Sequence, residues 1–310
     1  MKHKIYVDGQ EGTTGLEIFK RLEARDDVEI LKIPLDKRKD TDERKKYLNM
    51  ADIVFLCLPD VASREAVTLI DNPNVRVIDA STAHRTDDNW AYGIPELGDD
   101  YKEKIKTSKR VSNPGCFASG FNMLIYPLIK NGIIPNDYPV TCHSVTGYSG
   151  GGRKLIEYYE SGEHKDVVNS PCFYALDLTH KHLPEMHKHS GLKNPPLFTP
   201  IVCNFYRGMT VAVPFYIDTP AKEIQELYAN YYSGQRFIKV MPLAYHKELE
   251  FGYLNAESCN ETNNMEILVF GNETQVLTVA RFDNLGKGAS GAAIQNLNIM
   301  LGLDESYCLN

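Results

Sequence analysis

A two-domain α/β fold is predicted for this chain of 310 residues, on three observations. Short apolar runs alternate with helical patterns through the N-terminal third. A glycine-rich turn separates the first run from the first helix. After about residue 116 the rhythm changes to one helix followed by longer β-rich stretches. A single hydrophobic core usually stops growing near this length, so two domains are expected. The first reads as a doubly wound, mostly parallel α/β domain and the second as α+β.

Taken in order, Lys4 to Val7 is the first strand, and the helix after it carries Leu16, Phe19 and Leu22. Val28 to Leu35 reads as a second strand, Asp52 to Leu58 as a third, bounded by Pro59, and Arg76 to Ala80 as a fourth. Near-continuous apolar strands separated by helices imply a parallel sheet covered on both faces, with ligands at the carboxyl ends of its strands. Phe117, Phe121, Leu124, Ile125 and Leu128 then mark one apolar stripe of a helix. Thr210 to Tyr216 and Met265 to Phe270 read as strands of the second domain, and a last helix runs from about Ala289 to Leu301.

The net charge of −7 argues against nucleic-acid or anionic-membrane partners. No apolar run approaches the ~20 residues of a bilayer span, and no signal-peptide pattern is evident. Seven cysteines without CxxC or CxxH spacing suggest neither a disulfide framework nor a zinc site, and no metal is expected. The expectation is a cytoplasmic protein with reduced thiols.

Gly9, Gly12 and Gly15, spaced GxxGxxG between the first strand and helix, let the backbone approach a pyrophosphate whose charge lies at the helix N-terminus. A plain tight turn is the alternative. After the second strand come Asp36, which suits NAD, and then Lys37, Arg38 and Lys39, which suit the 2′-phosphate of NADP. A solvated charged loop would look the same.

Asn113-Pro114-Gly115-Cys116-Phe117 follows a short extended segment and opens a helix. A cysteine in the first helical turn has its thiolate stabilised by the dipole. The other reading, a small buried hydrophobe, is preferred for Cys57, Cys142, Cys172, Cys203, Cys259 and Cys308. A thiolate beside a nicotinamide points to attack on an activated acyl group, giving a thioester that hydride reduces to an aldehyde. His180-Lys181-His182-Leu183-Pro184-Glu185 supplies two candidate acid/base imidazoles and a carboxylate that could orient one of them. His187 and His189 read as surface residues of a polar loop. Arg85, in Asp79 to Arg85 after the fourth strand, suits an anionic group. Ser144 with Gly147 to Arg153 offers backbone donors for an anion nest, and Arg207 a further cation. Each has an ordinary loop as its alternative; together they suit a multiply charged substrate.

These pieces, with Asp8 to Gly15, Leu58-Pro59-Asp60 and Asn284 to Asn298, resemble the shorter form of the N-acetyl-γ-glutamyl-phosphate reductases along the whole chain. The resemblance implies NADPH-dependent reduction of a small anionic acyl phosphate in arginine biosynthesis. It implies a Rossmann domain at residues 1–115 and 285–310. A catalytic and oligomerisation domain of the glyceraldehyde-3-phosphate-dehydrogenase type is implied at 116–284, in a homo-oligomer (dimer or tetramer). Cys116 matches the nucleophile, and His182, with His180 as alternative, the acid/base group near Glu185. Cofactor contacts are implied at Gly9, Gln10, Gly12, Thr13, Thr14, Gly15, Arg38, Pro59 and Asn284. Substrate contacts are implied at Ser81, Arg85, Asn113, Ser149, Gly150 and Arg207.

Two other readings stand beside this one. The first is a reductase of another acyl phosphate, aspartyl or carrier-bound. The second is an NADP-binding regulator without turnover, against which an intact Cys116 and HxHxPE motif count.

Overall fold

The computed structural model describes residues 2–310. The chain forms two compact units, Met1–Pro114 with Ala289–Leu309, and Gly115–Gly288 with Asn310.

The first unit runs β1 (His3–Asp8), α1 (Thr13–Glu23), β2 (Val28–Leu31), α2 (Thr41–Met50), β3 (Ile53–Leu56), α3 (Asp60–Thr68), β4 (Arg76–Asp79), β5 (Ala91–Tyr92), α4 (Asp99–Thr107) and β6 (Arg110–Ser112). Its sheet has the order β2-β1-β3-β4-β6-β5, and every pairing is parallel. All four residues of β3 are buried, as apolar strands covered on both faces require. The second strand ends earlier than its apolar run suggests. Pro34 cannot donate to a ladder, and its carbonyl instead accepts from Lys37 N to form a turn. In α1 the buried face is Gly15, Ile18 and Leu22, whereas Leu16 is exposed, so the expected stripe is rotated.

The final helix, Gly291–Leu301, packs in this unit and is almost wholly buried despite three amides. Asn298 shows how: its Oδ1 accepts from Arg25 Nη1 at 2.6 Å, while its Nδ2 donates to the Glu305 and Tyr307 carbonyls. This helix begins later than expected, because Gly286–Ser290 is a π-helical turn.

The second unit contains α5 (Cys116–Lys130), β7 (Thr141–Gly147), α6 (Arg153–Glu160), α7 (Lys165–Val168), β8 (Cys172–Phe173), α8 (Leu183–Ser190), β9 (Leu197–Cys203), β10 (Met209–Tyr216), α9 (Ala221–Tyr231), β11 (Ile238–Val240), β12 (Met265–Gly271) and β13 (Gln275–Phe282). Its mixed sheet has the order β11-β12-β13-β10-β7-β9-β8. Phe117, Phe121, Leu124, Ile125 and Leu128 are all buried, and α5 packs on β10, β13 and α8. Gly120 permits the close approach, since a Cβ there would lie 2.7 Å from Val211 Cγ2 and 2.8 Å from Phe282 Cε1. Pro127 inside α5 has no N–H for the carbonyl four residues earlier, that of Met123. Tyr232 Oη donates to that carbonyl instead, at 2.5 Å.

His187 and His189 lie on α8 and are half-buried, not in a polar loop: the helix continues to Ser190 and ends on Gly191 in the left-handed conformation. Among the described residues, no helix is long and apolar enough to cross a membrane.

Candidate functional site

The first unit holds a cavity of about 440 Å³ at the carboxyl ends of its strands, lined among others by Asp8, Gly9, Gln10, Arg38, Thr41 and Arg44. Gly9 has φ +89°, and a Cβ there would collide with the Cys57 carbonyl; one on Gly15 would collide with the Gly9 carbonyl. Gly12 is different. A Cβ on it would meet nothing nearer than 3.7 Å, so its bareness keeps the start of α1 open. That helix has no side-chain cap and no acid in its first turn. Its first N–H groups and positive dipole end therefore suit a phosphate, and the residues fit a dinucleotide. The next helix behaves otherwise: the Asp40 carboxylate caps α2 at Asp42 N and Glu43 N. Of the three adjacent cations, Arg38 and Lys39 line the cavity and Lys37 does not. Arg38 pairs with Glu11 of the glycine turn. Pro59 is the N-cap of α3.

In the second unit Cys116 is the first residue of α5, where the helix dipole favours thiolate. Glu185, 1% exposed, accepts from Gly115 N at 3.1 Å. The carboxylate thus sits on the N-terminus of the cysteine helix, a placement the sequence reading missed when it assigned Glu185 to an imidazole alone. Phe117 gathers the histidines: its ring centroid lies 5.5 Å from His180 and 5.8 Å from His182. The two imidazoles are 4.8 Å apart. His180 Nδ1 accepts from His182 N at 3.1 Å, which leaves its proton on Nε2. Burial, then the charge of Lys181, pushes the His180 imidazole down to about 4. His182 is buried at the N-cap of α8. Burial pushes the Tyr174 hydroxyl up, and the charge of Cys116 adds to the effect.

Backbone packing also shapes the cysteine. A Cβ on Gly288 would stand 2.8 Å from Cys116 Cβ, so only glycine lets the π-helical turn lie against it. The other thiols divide in a way the sequence did not indicate. Burial pushes Cys142 and Cys259 up to about 12 and Cys57 and Cys203 up as well; Cys142 and Cys259 are buried, Cys57, Cys172 and Cys203 half-buried, and Cys308 exposed.

Residues 4–108 match the family described as semialdehyde dehydrogenase, NAD binding domain, and residues 116–284 that described as semialdehyde dehydrogenase, dimerisation domain. N-acetyl-gamma-glutamyl-phosphate reductase 2 of Nostoc sp. is 49% identical over 320 residues, covering 99% of each chain. The N-acetyl-gamma-glutamyl-phosphate reductase of Rhizobium etli is 46% identical, covering 97% of this chain and 99% of its own. The chain belongs to the N-acetyl-gamma-glutamyl-phosphate reductase family. It is thus an oxidoreductase of semialdehyde dehydrogenase type, with a nicotinamide cofactor. Among solved structures, aspartate semialdehyde dehydrogenase from Francisella tularensis has a TM-score of 0.72 at 15% identity, covering 97% of this chain and 100% of that one. Aspartate semialdehyde dehydrogenase II from Vibrio cholerae has a TM-score of 0.70 at 14% identity, covering 97% and 99%. These likenesses are of fold.

In this reductase the first part of the expected anion nest at Gly147 to Arg153 is a packed turn, whereas Gly150 and Gly151 are exposed. The N–H groups of Gly147, Tyr148 and Ser149 donate to the carbonyls of Gly208, Phe205 and Tyr206, so three donors are already engaged. Asn284 Nδ2 donates to Ser149 Oγ at 3.0 Å, and Asn284 Oδ1 accepts from Gly208 N at 2.8 Å, joining that turn to the loop of Arg207. Gly150 stands 3.3 Å, through an added Cβ, from the same amide. Arg207 Nη1 lies 3.4 Å from Asp283 Oδ2.

In the first unit, Asp79 accepts from Ser81 N, Ser81 Oγ and, at 2.6 Å, His84 Nδ1, while His84 stacks on Trp90. Arg85 is buried, and its Nε and Nη2 donate to the carbonyls of Asn113 and Ala80. Asn113 Nδ2 in turn donates to the Ala289 carbonyl and its Oδ1 accepts from Asn296. Ser81, Arg85 and Asn113 are therefore brought together as one braced cluster. Arg44, Tyr174 and Gly288 escaped the sequence reading. Arg44 lies in a helix patterned as surface, and nothing local marks its pairing with Asp8.

Proposed function

We propose that this enzyme reduces N-acetyl-γ-glutamyl phosphate to N-acetylglutamate γ-semialdehyde and phosphate, with NADPH, in arginine biosynthesis. The observation that carries the reading is Cys116 at the start of α5, with His182 on the ring of the adjacent Phe117.

The Cys116 thiolate attacks the acyl carbon, the C–O bond to phosphate breaks, and phosphate leaves with a thioester on sulfur. NADPH, when bound, supplies the hydride that the thioester carbon accepts. His182 takes the thiol proton at the outset, donates it to the oxyanion left by hydride addition, and takes it back as the thiohemiacetal collapses to aldehyde and thiolate. His180 stays neutral at physiological pH, because its pKa lies at about 4, and orients His182 through the backbone. Glu185 holds the start of α5.

Gly9, Gln10, Gly12, Thr13, Thr14, Gly15, Arg38, Pro59 and Asn284 are assigned to the cofactor. Arg38 and Lys39 in the cavity favour NADP through its 2′-phosphate. Ser81, Arg85, Asn113, Ser149, Gly150 and Arg207 are assigned to the substrate. Residues 1–115 and 285–310 form the dinucleotide-binding domain, and 116–284 the catalytic and homo-oligomerisation domain of a cytoplasmic enzyme.

The test is phosphate-dependent reduction of NADP or NAD with N-acetylglutamate semialdehyde, wild type against Cys116→Ser. Activity that requires phosphate and vanishes in the variant supports the proposal. Turnover of aspartate semialdehyde alone would keep the mechanism and replace the substrate. Dinucleotide binding without turnover of either would point to a regulator.

A further inference from the structure

The cavity of the first unit contains an ion pair that the reaction does not use. Asp8 ends β1 immediately before Gly9 and is 4% exposed; Arg44, on α2, is 8% exposed. Arg44 Nη2 and Nε lie 2.9 and 3.2 Å from Asp8 Oδ2, and Arg44 Nη1 lies 3.9 Å from Glu65 Oε1 on α3. The charged lining is Asp8, Glu11 and Glu65 against Arg38, Lys39 and Arg44. Without Arg44 the balance turns negative, and the buried acid immediately before the glycine turn loses its counter-ion in a poorly solvated wall.

We propose that Arg44 is a positioning residue of the cofactor site, which neutralises Asp8 and holds it aside so that a polyanionic dinucleotide can settle against Gly9 and Gln10. The inference rests on the cofactor reading above. It differs from a phosphate contact, because Arg44 acts here through Asp8. It differs also from a purely structural ion pair, because its loss reaches ligand affinity. The groups around Asp8 agree: Arg44 is its only cationic partner among the described residues, whereas Tyr6, Cys57 and Glu65 are neutral or acidic.

The test is calorimetric titration of NADPH and NADH into wild type, Arg44→Met, Asp8→Asn and the double variant, each checked for folding by circular dichroism. Arg44→Met should weaken both dinucleotides about tenfold or more, by leaving a buried carboxylate near their phosphates. Asp8→Asn should bind no more weakly than wild type, and the double variant should return to within about threefold of it. The double variant removes both charges of the buried pair, so it carries the test even if a single variant does not fold. A double variant as weak as Arg44→Met, with the loss confined to NADPH, would make Arg44 a direct 2′-phosphate ligand and overturn the proposal. Weakened binding in Asp8→Asn, or unchanged affinity in a folded Arg44→Met, would overturn it too. A wild type that binds neither dinucleotide would remove the cofactor reading itself, and the proposal with it.

Discussion

Glu185 accepts a hydrogen bond from the backbone N–H of Gly115, 3.1 Å away, so a buried carboxylate from one helix terminates the N-terminus of another. The residue after Gly115 is Cys116. Helix starts leave unsatisfied N–H groups, and α5, opening on Gly115, has no side-chain cap of its own. Glu185→Ala should destabilise the protein by about 1–3 kcal/mol, because a buried donor loses its partner. Glu185→Gln, which keeps an acceptor oxygen, should stay within about 1 kcal/mol of wild type. Urea unfolding distinguishes the two; equal losses would show that charge, not the hydrogen bond, is what Glu185 contributes.

The two histidines should separate in kinetics and in pH dependence. His182→Asn should lower kcat by about 10²-fold or more, the ordinary size of a lost acid/base group. The His180 imidazole is held at about 4 by burial and Lys181, below its usual value. Its neutral form therefore contributes stability that is fully present above about pH 6.5 and is lost as pH falls toward 4. In His180→Asn that part of the acid-side decline in unfolding free energy should disappear. A decline as steep as in wild type would refute the assignment.

Gly288→Ala should impair Cys116 without unfolding the protein. The added methyl would lie 2.8 Å from Cys116 Cβ, so the cysteine or the π-helical turn must shift. Displacement of a nucleophile by a fraction of an ångström to 1 Å costs up to about 10²-fold in rate. Turnover and the iodoacetamide alkylation rate of Cys116 should both change, while calorimetric NADPH affinity holds.

Tyr232→Phe should cost about 1–3 kcal/mol in urea unfolding, since the Met123 carbonyl loses its donor inside a buried helix. Replacing Pro127 by Ala in the same chain should recover most of this, because the new N–H reaches the same carbonyl. Simple additivity of the two substitutions would count against that coupling.

Arg38→Ala should weaken NADPH by about tenfold and NADH by much less, if its guanidinium meets the 2′-phosphate from the cavity wall. Equal effects on both dinucleotides would return Arg38 to its ion pair with Glu11.

Features that rest on local pattern could be read from the residues alone. The apolar strands and the helix of Phe117 to Leu128 are periodicities, and GxxGxxG, the cysteine turn and HxHxPE are short motifs whose residue types carry their chemistry. Strand ends were less legible, because Pro34 stops β2 through a backbone donor it lacks. The assignments between distant residues come from packing: Glu185 with Gly115, Arg44 with Asp8, Tyr232 with Met123, and the use of the Gly147 to Ser149 donors on the loop at 205–208. Each is a hydrogen bond or ion pair between segments far apart in the chain. A local pattern records which groups need a partner, and the fold alone selects which partner they receive.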